Sequence, residues 1–184
     1  MGYGHIGEAI ATRAAAFGMK IVATRRSQCA TPAPLDWLGT EEQLPQLLQQ
    51  SDFIVLACDL NDATRNLINT ETLEQMKNNA VVINVARGEV IDEDALYKSL
   101  KDKRIGGAVL DVWYNYNHPK KPEVWPCNQP FQELDNVILS AHECCWTEAQ
   151  GRRRWQTVVD NVQQVANGEL PHNIVFHGEA VASQ

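Results

Sequence analysis

Three glycines near the N-terminus have the spacing of a phosphate-binding loop. Gly2, Gly4 and Gly7 form a Gly-x-Gly-x-x-Gly pattern, and a helical pattern of apolar residues follows at once. The first glycine of such a loop permits a tight turn, the second lets a pyrophosphate approach the backbone, and the third lets the helix pack closely. The N-terminus of the helix then offers unpaired N–H groups to the anion. We therefore predict a dinucleotide site at Gly2, Gly4, His5, Ile6 and Gly7, the alternative being an ordinary glycine-rich turn.

The residues after the next predicted strand bear on which dinucleotide would bind. The strand pattern covers Lys20–Thr24 and is followed by Arg25, Arg26 and Ser27. A carboxylate at this place would hold the ribose 2′-hydroxyl of NAD and repel a 2′-phosphate, whereas arginine pairs with that phosphate. The sequence therefore predicts NADP as the preferred cofactor and NAD as the second choice. The alternative is that both arginines are simply surface residues.

A further cationic residue follows a buried strand pattern. The apolar run Ala80–Asn84 continues as Val85-Ala86 and then Arg87-Gly88. The carboxyl ends of strands are where open α/β sheets bind their ligands. Arg87 is therefore a candidate ligand-binding residue, and a structural ion pair is the alternative.

Apolar runs that alternate with helical patterns predict the elements that carry these residues. The predicted strands are Lys20–Thr24, Phe53–Ala57, Ala80–Asn84, Gly107–Leu110 and Val137–Leu139, and Leu35–Leu38 is predicted to be a short extended piece. The predicted helices are Glu8–Phe17, Glu41–Gln50, Thr70–Lys77, Glu93–Asp102 and a last helix that begins at Arg152–Arg154 and runs to Ala166. Strands that are apolar on both faces and separated by helices indicate a parallel sheet covered on both sides. We predict an α/β fold with a Rossmann-like, doubly wound parallel sheet.

The glycine loop begins unusually close to the first residue. A dinucleotide-binding loop should follow a strand, but only Met1 precedes Gly2. That strand is central in a doubly wound sheet, so its absence would leave two strand edges open. We therefore expect a sheet that lacks its first strand, in a chain that is a fragment, a late start or a domain completed by another chain.

Bulk composition limits the classes of partner. The 184 residues carry a formal net charge of −7, which disfavours nucleic acid because its phosphates would be repelled. Five cysteines without Cys-x-x-Cys spacing favour free thiols in a reducing cytoplasm. Neither a membrane-spanning run nor a signal-peptide pattern is visible, so we expect a cytoplasmic protein with no membrane partner.

Several segments besides the glycine loop form a recognisable set of motifs. They are Phe17-Gly18-Met19-Lys20, Ser51–Leu56 followed by Thr64, Asn84–Gly88, Leu110–Trp113, and Asp135–Val137 leading to His142. With the glycine loop, and across nearly the whole chain, they resemble the D-isomer-specific 2-hydroxyacid dehydrogenases. That resemblance implies hydride transfer between NAD(P)H and a 2-oxo acid, and a homodimer formed through the cofactor domain.

The resemblance also implies roles for individual residues. Arg87 matches the arginine that holds the substrate's carboxylate and 2-oxo group, a task suited to a planar guanidinium that can bind two oxygens. His142 matches the acid/base histidine that protonates the carbonyl oxygen as hydride arrives. Asp111 matches the residue that bonds the nicotinamide carboxamide, with a turn or capping Asp as the alternative. Further implied cofactor contacts are Cys58, Thr64 and Ala86.

The sequence departs from the family pattern around the histidine. Tyr116 stands where most members have the glutamate that pairs with the histidine, and a phenol can hydrogen-bond but does not stabilise an imidazolium by charge. Tyr116 either orients His142 in an active enzyme or packs in its loop while catalysis is weak. Cys144 and Cys145 replace small residues, and no accompanying ligand cluster favours a metal site.

These features define two domain-level segments and two functional hypotheses. Residues 1–146 are predicted to form the dinucleotide-binding domain, and residues 147–184 a C-terminal helix and tail that return to a substrate domain. The first hypothesis is the cofactor-binding part of an NAD(P)H-dependent 2-oxo acid reductase. The second is a catalytically silent nucleotide-binding or regulatory module, or an inactive fragment. An S-adenosylmethionine-dependent methyltransferase shares the glycine loop but has no use for Arg87 or His142.

Overall fold

The computed structural model describes residues 1–116 and 125–174. Within those residues the helices are α1 (His5–Ala16), α2 (Leu44–Gln50), α3 (Thr70–Glu74), α4 (Glu93–Lys101) and α5 (Glu148–Ala166). The strands are β1 (Val22–Thr24), β2 (Trp37–Gly39), β3 (Phe53–Leu56), β4 (Val81–Asn84), β5 (Gly107–Leu110) and β6 (Val137–Leu139). Short 3-10 turns cover Glu41–Gln43, Gly88–Val90 and Phe131–Glu133.

Every pair of neighbouring strands is parallel. β1 pairs with β2, and β3, β4, β5 and β6 form a four-stranded sheet in that order. Parallel neighbours need crossover connections, which the alternation of strands and helices supplies. The predicted α/β class with a Rossmann-like parallel sheet is confirmed.

The predicted elements agree with the structure in order; most differ by one to three residues at an end, and two differ in larger ways. The stretch Glu41–Gln50 was expected to be one helix, but a 3-10 turn capped by Thr40 precedes α2. Pro45 explains the break, because a proline in the first turn has no N–H to continue the preceding turn. The last helix was expected to begin at Arg152–Arg154, which is wrong, because α5 begins at Glu148, where the Thr147 side chain accepts from Gln150 N.

The four-stranded sheet contains most of the buried apolar core. Leu56, Val82 and Leu110 lie on neighbouring strands and are almost fully buried. Leu96 and Leu100 of α4 join the same cluster. Phe131 is also fully buried and packs edge-on against Tyr97, with ring centroids 5.6 Å apart. Burial of this kind supplies most of the driving force for folding, so the sheet from β3 to β6 is held rigidly.

The parallel array is interrupted between β1 and β3. Met1 N donates to Val55 O at 2.7 Å, and Ala57 N donates to Met1 O at 2.9 Å. On the other side Gly2 N donates to Thr24 O at 2.9 Å. Met1 and Gly2 thus bridge the carboxyl ends of β1 and β3. In the described residues β1 and β3 belong to separate sheets, and Met1 and Gly2 connect the two through these backbone hydrogen bonds.

The chain divides into two compact units, Met1–Cys144 and Cys145–Gln184. The second unit consists mainly of α5, whose apolar stripe includes exposed Trp155, Val158, Val162 and Val165. Gly168, with φ of +77°, follows the end of the helix, as glycines commonly do after a helix C-terminus. The predicted boundary between residues 146 and 147 stays a prediction, as does the role of the predicted tail, in which residues 175–184 lie outside the described residues.

Candidate active site

The glycine loop lies tightly against the backbone that follows β3. Gly2 has φ of +83°, and a Cβ there would lie 2.6 Å from the backbone nitrogen of Cys58. A Cβ on Gly7 would lie 2.3 Å from the Gly2 carbonyl oxygen. A Cβ on Gly4, in contrast, would meet no atom within 4 Å. Gly2 and Gly7 are therefore needed by the fold itself, whereas Gly4 faces open space of the kind a phosphate would need.

The N-terminus of α1 differs from those of the other long helices. Its N-cap is Gly4, which provides no side-chain hydrogen bond. The Asp92 side chain caps α4 by accepting a hydrogen bond from Ala95 N, and the Thr147 side chain caps α5 by accepting one from Gln150 N. The first N–H groups of a helix have no partner within the helix and attract anions. The uncapped start of α1, where His5 and Ile6 lie, fits a pyrophosphate.

The two arginines that follow β1 lie one residue beyond a contact with the glycine loop. Gly2 N donates to Thr24 O, and Arg25 comes next along the chain. Arg25, Arg26 and Ser27 are exposed, and the Arg25 guanidinium lies 3.4 Å from the sulfur of Cys29. These three residues are thus exposed to solvent next to the residue that contacts the glycine loop.

Arg87 is presented by a turn that Asn84 builds. The buried Asn84 side chain accepts from Ala86 N at 3.0 Å and donates to Arg87 O at 2.9 Å. A Cβ on Gly88 would lie 2.3 Å from the carbonyl oxygen of Trp113, so only glycine lets the turn pack against the chain after β5. The Arg87 residue is exposed, and its guanidinium donates to Ala86 O at 2.7 Å.

Asp111 connects the end of β5 to the loop after β6. Its carboxylate is only 3% exposed and accepts from Ser140 Oγ at 2.6 Å, Glu143 N at 3.0 Å and Cys144 N at 3.2 Å. Burial would raise the pKa of Asp111, but hydrogen bonds from Cys144, Ser140 and Glu143 outweigh burial and hold that pKa below its usual value. The carboxylate therefore stays ionised and fixes this loop.

His142 lies in the loop that Asp111 holds. The residue has φ of +61°, an unusual backbone conformation for a side chain with a Cβ. The Tyr116 ring lies beside the imidazole, with centroids 5.5 Å apart and planes inclined by 49°. The Tyr116 hydroxyl accepts from Trp113 N at 3.1 Å, and the Trp113 indole donates to Ser140 O at 2.9 Å. The rings of Tyr116 and His142 are thus in contact, while the phenol oxygen accepts its hydrogen bond from the backbone N–H of Trp113.

The strand register aligns the segments that carry these residues. Asn84 on β4 is opposite Leu110 on β5, and Leu110 is opposite Leu139 on β6. Arg87, Asp111 and His142 therefore follow the carboxyl ends of three adjacent parallel strands. Neighbouring strands are about 4.8 Å apart, so the chain segments leaving β4 and β6 are separated by about 10 Å across β5.

The remaining residues that were predicted to contact the cofactor are Cys58, Thr64 and Ala86. Cys58 is half-buried beside the glycine loop, and burial raises the pKa of its thiol. The Thr64 hydroxyl donates to Asp59 O at 2.6 Å and so stabilises a local turn. Ala86 is buried in the turn that presents Arg87. The sequence analysis did not single out Ser140, although its hydroxyl is the shortest contact of Asp111.

The part of the chain that the structure describes contains neither a metal-binding cluster nor a membrane-spanning helix. No group of three or more His, Cys, Asp or Glu side chains there could hold a metal ion. Over residues 1–116 and 125–174, none of the helices combines the length and apolar character that a bilayer crossing requires.

The parallel sheet, the glycine loop and the uncapped helix together define a dinucleotide-binding domain of the Rossmann type. Residues 1–143 match the model of the D-isomer specific 2-hydroxyacid dehydrogenase family, NAD binding domain. The chain belongs to this family, as its motifs predicted.

Relatives and solved structures agree with that assignment. The chain is 39% identical over 176 residues to a glyoxylate reductase of Thermococcus kodakarensis, and 35% identical over 178 residues to one of Korarchaeum cryptofilum. Each match covers 95% of this chain and 50% of the relative, so the chain spans about half the length of these curated relatives.

Two solved structures are similar and hold different cofactors. An acyclic imino acid reductase in complex with NADPH and D-Arg superposes with a TM-score of 0.79 at 29% identity, over 95% of this chain and 52% of that one. The D-lactate dehydrogenase of Lactobacillus jensenii with NAD+ gives a TM-score of 0.77 at 28% identity, over 96% and 54%.

Proposed function

We propose that this chain is the cofactor-binding part of an oxidoreductase that reduces a 2-oxo acid to a 2-hydroxy acid with NADPH or NADH. The observation that carries the proposal is the alignment of Arg87, Asp111 and His142 at the carboxyl ends of three adjacent parallel strands. An exposed guanidinium and an imidazole on one edge of the sheet can bind a carboxylate and exchange a proton with a nearby oxygen.

In this mechanism each residue of the chain has a separate task. The Arg87 guanidinium holds the substrate carboxylate and orients the adjacent carbonyl. A nicotinamide cofactor held by the glycine loop would supply the hydride for the carbonyl carbon. The His142 imidazole donates a proton to the carbonyl oxygen and is restored from solvent. Asp111 keeps the His142 loop in position through its hydrogen bonds to Ser140, Glu143 and Cys144.

Turnover tests these roles directly. NADPH oxidation is followed with glyoxylate, hydroxypyruvate and pyruvate for the chain and for the variants Arg87→Ala, Arg87→Lys and His142→Gln. We expect Arg87→Ala to abolish the rate and Arg87→Lys to restore a small part of it, because a lysine supplies charge without bidentate geometry. We expect His142→Gln to lower kcat by about 10²–10⁴-fold, the usual contribution of a general acid.

The alternative function is a catalytically silent nucleotide-binding module. The observation that favours it is the engagement of the Tyr116 hydroxyl by Trp113 N, which leaves His142 with a ring contact instead of a carboxylate partner. Cofactor binding that persists in the absence of any turnover with the three 2-oxo acids supports this alternative. A turnover that depends on Arg87 contradicts it.

Cofactor binding has its own test at the glycine loop. A carboxylate introduced by Gly4→Asp would cap α1 and repel a pyrophosphate, while its Cβ would touch nothing. We expect at least a 10-fold weaker binding of NADPH and NADH with unchanged folding. Unchanged affinity for both cofactors would show that the glycine loop is not part of the cofactor-binding site.

A preference for NADP is the finer part of the proposal. Arg25, Arg26 and Ser27 are exposed just beyond the contact between Thr24 and the glycine loop. Pairing of arginine with a 2′-phosphate is charge-assisted and depends on salt. We expect Arg25→Ala to weaken NADPH binding about 10-fold and to leave NADH binding nearly unchanged. Tighter binding of NADH than of NADPH by the unaltered chain would refute the preference.

We also propose that the protein acts in the cytoplasm as a homodimer and that its domain boundary lies at residues 146–147. The five cysteines lie in the described residues and form no disulfide there, which fits a reducing compartment. The exposed apolar stripe of α5 fits a surface covered by another subunit. Light scattering tests the dimer: Val162→Glu should shift it towards monomer, while the neighbouring exposed Gln163→Glu should not. A monomeric parent chain contradicts the proposal.

A further inference from the structure

Arg87 and His142 each lie three residues beyond the end of a strand, past the hydrogen bonds that align the sheet. Asp111 N donates to the last residue of β4 at 3.2 Å, and Ser140 N donates to the last residue of β5 at 3.0 Å. These two bonds extend the ladders by one residue beyond β5 and β6. Contacts of another kind must therefore fix the separation of the guanidinium and the imidazole.

Trp113 has the equivalent position on the middle strand of the three, since it lies three residues beyond the end of β5. The residue is 8% exposed and belongs to the apolar core. A buried indole N–H needs an acceptor, and that of Trp113 donates to Ser140 O at 2.9 Å. Ser140 precedes His142 by two residues. The orientation of the indole is thus coupled to the start of the loop that carries His142.

The backbone of Trp113 contacts the turn that presents Arg87. A Cβ on Gly88 would lie 2.3 Å from the carbonyl oxygen of Trp113 and 2.4 Å from its carbonyl carbon. The turn is therefore packed directly on this peptide group, and Gly88 follows Arg87 in the chain. Because closely packed backbones transmit small displacements, a shift of Trp113 would move the Arg87 turn.

The backbone N–H of Trp113 makes a third contact with the site. It donates to the Tyr116 hydroxyl at 3.1 Å, and the Tyr116 ring lies beside the His142 imidazole. Trp113 therefore acts on His142 by two routes, through Ser140 in the same loop and through the ring of Tyr116.

The contacts of Trp113 differ in kind from those of the Asp111 carboxylate. That carboxylate accepts hydrogen bonds from the loop that carries His142, and so fixes the shape of this loop. Trp113 contacts the same loop through its indole and the Arg87 turn through its carbonyl. It therefore joins the two segments to each other.

We propose that Trp113 is a positioning residue that holds the Arg87 turn and the His142 loop at the separation that a 2-oxo acid requires. The carboxylate and the carbonyl oxygen of this substrate are on adjacent carbons, so both side chains must reach one small molecule. A misplacement of about 1 Å can lower a rate by about 10²-fold. The proposal rests on the proposed reduction of a 2-oxo acid.

A matched pair of substitutions separates the indole N–H from the bulk of the ring. Trp113→His keeps an N–H at the corresponding ring position, because imidazole matches the nitrogen-bearing ring of indole. Trp113→Phe keeps a large apolar ring and removes the N–H. Trp125→Phe, at a tryptophan that is 73% exposed, controls for the loss of an indole. The variants are compared at about pH 8, where an ordinary imidazole is neutral.

NMR of the full chain tests positioning without substrate or cofactor. In the unaltered chain we expect a cross-peak between the rings of Tyr116 and His142. The indole N–H of Trp113 should exchange at least about 10-fold more slowly than that of Trp125. Trp113→Phe should lose the ring cross-peak and shift the amide signal of Arg87. Trp113→His and Trp125→Phe should keep both signals, because the bond to Ser140 O is retained.

Turnover of glyoxylate with NADPH is the second readout. We expect Trp113→Phe to lower kcat by about 10- to 100-fold through misplacement of the reacting groups. The Kd for NADPH should stay within about 2-fold, since the glycine loop packs against β1 and the residues after β3. Trp113→His should recover about 3-fold or more of the lost kcat, and Trp125→Phe should match the unaltered chain.

Three outcomes would overturn the proposal. The first is an unchanged ring cross-peak and an unchanged Arg87 amide in Trp113→Phe. The second is a larger disturbance in folded Trp113→His than in Trp113→Phe, because the bulk of the ring would then matter and not its hydrogen bond. The third needs no variant: an indole N–H of Trp113 that exchanges as fast as that of Trp125.

Failure of the proposed function gives a different result. An unaltered chain that binds NADPH but turns over no 2-oxo acid counts against the proposed reduction. The NMR comparison then still decides whether Trp113 joins the Arg87 turn to the His142 loop.

Discussion

The two parallel sheets of this chain differ in how completely their residues are packed. The sheet from β3 to β6 encloses a continuous core, with Leu56 and Leu110 almost fully buried and α4 capped by Asp92. On the other side, β1 and β2 form a separate two-stranded sheet, and the N-cap of α1 makes no side-chain hydrogen bond. Exposed apolar residues such as Phe17 and Phe53 lie on or next to that side.

The two sheets therefore contribute to the candidate site in different ways. On the β3–β6 side, Asn84 and Asp111 use their side chains to fix the turns that carry Arg87 and His142. On the β1 side, the backbone N–H groups at the start of α1 have no side-chain cap. Precise positioning of side chains needs a packed core, whereas binding of an anion needs available backbone N–H groups.

The largest expected effect compares two phenylalanines. Phe131 is fully buried, so Phe131→Ala should lower the free energy of unfolding by about 3–5 kcal/mol through lost burial and a cavity. Phe17 is 86% exposed, so Phe17→Ala should change it by about 0.5 kcal/mol or less. Urea unfolding of both variants measures the difference, and similar costs would mean that the two sides are equally packed.

The next effect concerns the anchor of the His142 loop. Asp111→Asn should cost about 1–3 kcal/mol at pH 7, because hydrogen bonds to a charged group are lost. The pKa of Asp111 is lowered in the folded protein, so this contribution is full above the unfolded pKa of about 3.9 and is lost as the pH falls through the folded pKa. Unfolding measured from pH 7 to pH 2 should show the two proteins converging in acid.

The exposed Asp62 provides the control for that experiment. Asp62→Asn should change the free energy of unfolding by about 0.5 kcal/mol or less at every pH. A cost of Asp111→Asn that stays constant into strong acid would show that the carboxylate charge does not hold the loop.

A smaller effect separates the helix N-termini. Asp92→Ala should cost about 1 kcal/mol, because the cap on Ala95 N is lost. Gly4→Asp should instead raise stability by a few tenths of a kcal/mol, because it supplies the cap that α1 lacks. Thermal and urea unfolding check both signs. Destabilisation by Gly4→Asp would mean that the start of α1 is not open.

The smallest effect concerns Tyr116. Tyr116→Phe removes the acceptor of Trp113 N at a half-exposed site, so it should cost about 0.5 kcal/mol. The ring contact with His142 is kept. If the phenol orients the imidazole, the pH profile of turnover should shift as well. Unchanged turnover with an unchanged profile means that Tyr116 only packs in its loop.

The sequence predictions were accurate where a feature depends on neighbouring residues, and they failed where it depends on residues far apart in the chain. Gly107–Leu110 and Val137–Leu139 were predicted with the observed bounds, because continuous apolar runs are a local signal. The start of α5 was missed because Thr147 and Glu148 carry only a weak capping pattern, while the apolar stripe begins later. The bonds of Asp111 to Ser140 and to the His142 loop could not be predicted, since they join segments about thirty residues apart.

The sequence by itself determined the fold class, the family and the glycine loop, because periodicity and motif spacing are written along the chain. Only the tertiary structure decided that Arg87, Asp111 and His142 share one edge and that Asp111 holds the His142 loop. Strand register and long-range hydrogen bonds decide such facts, and both depend on how distant segments pack.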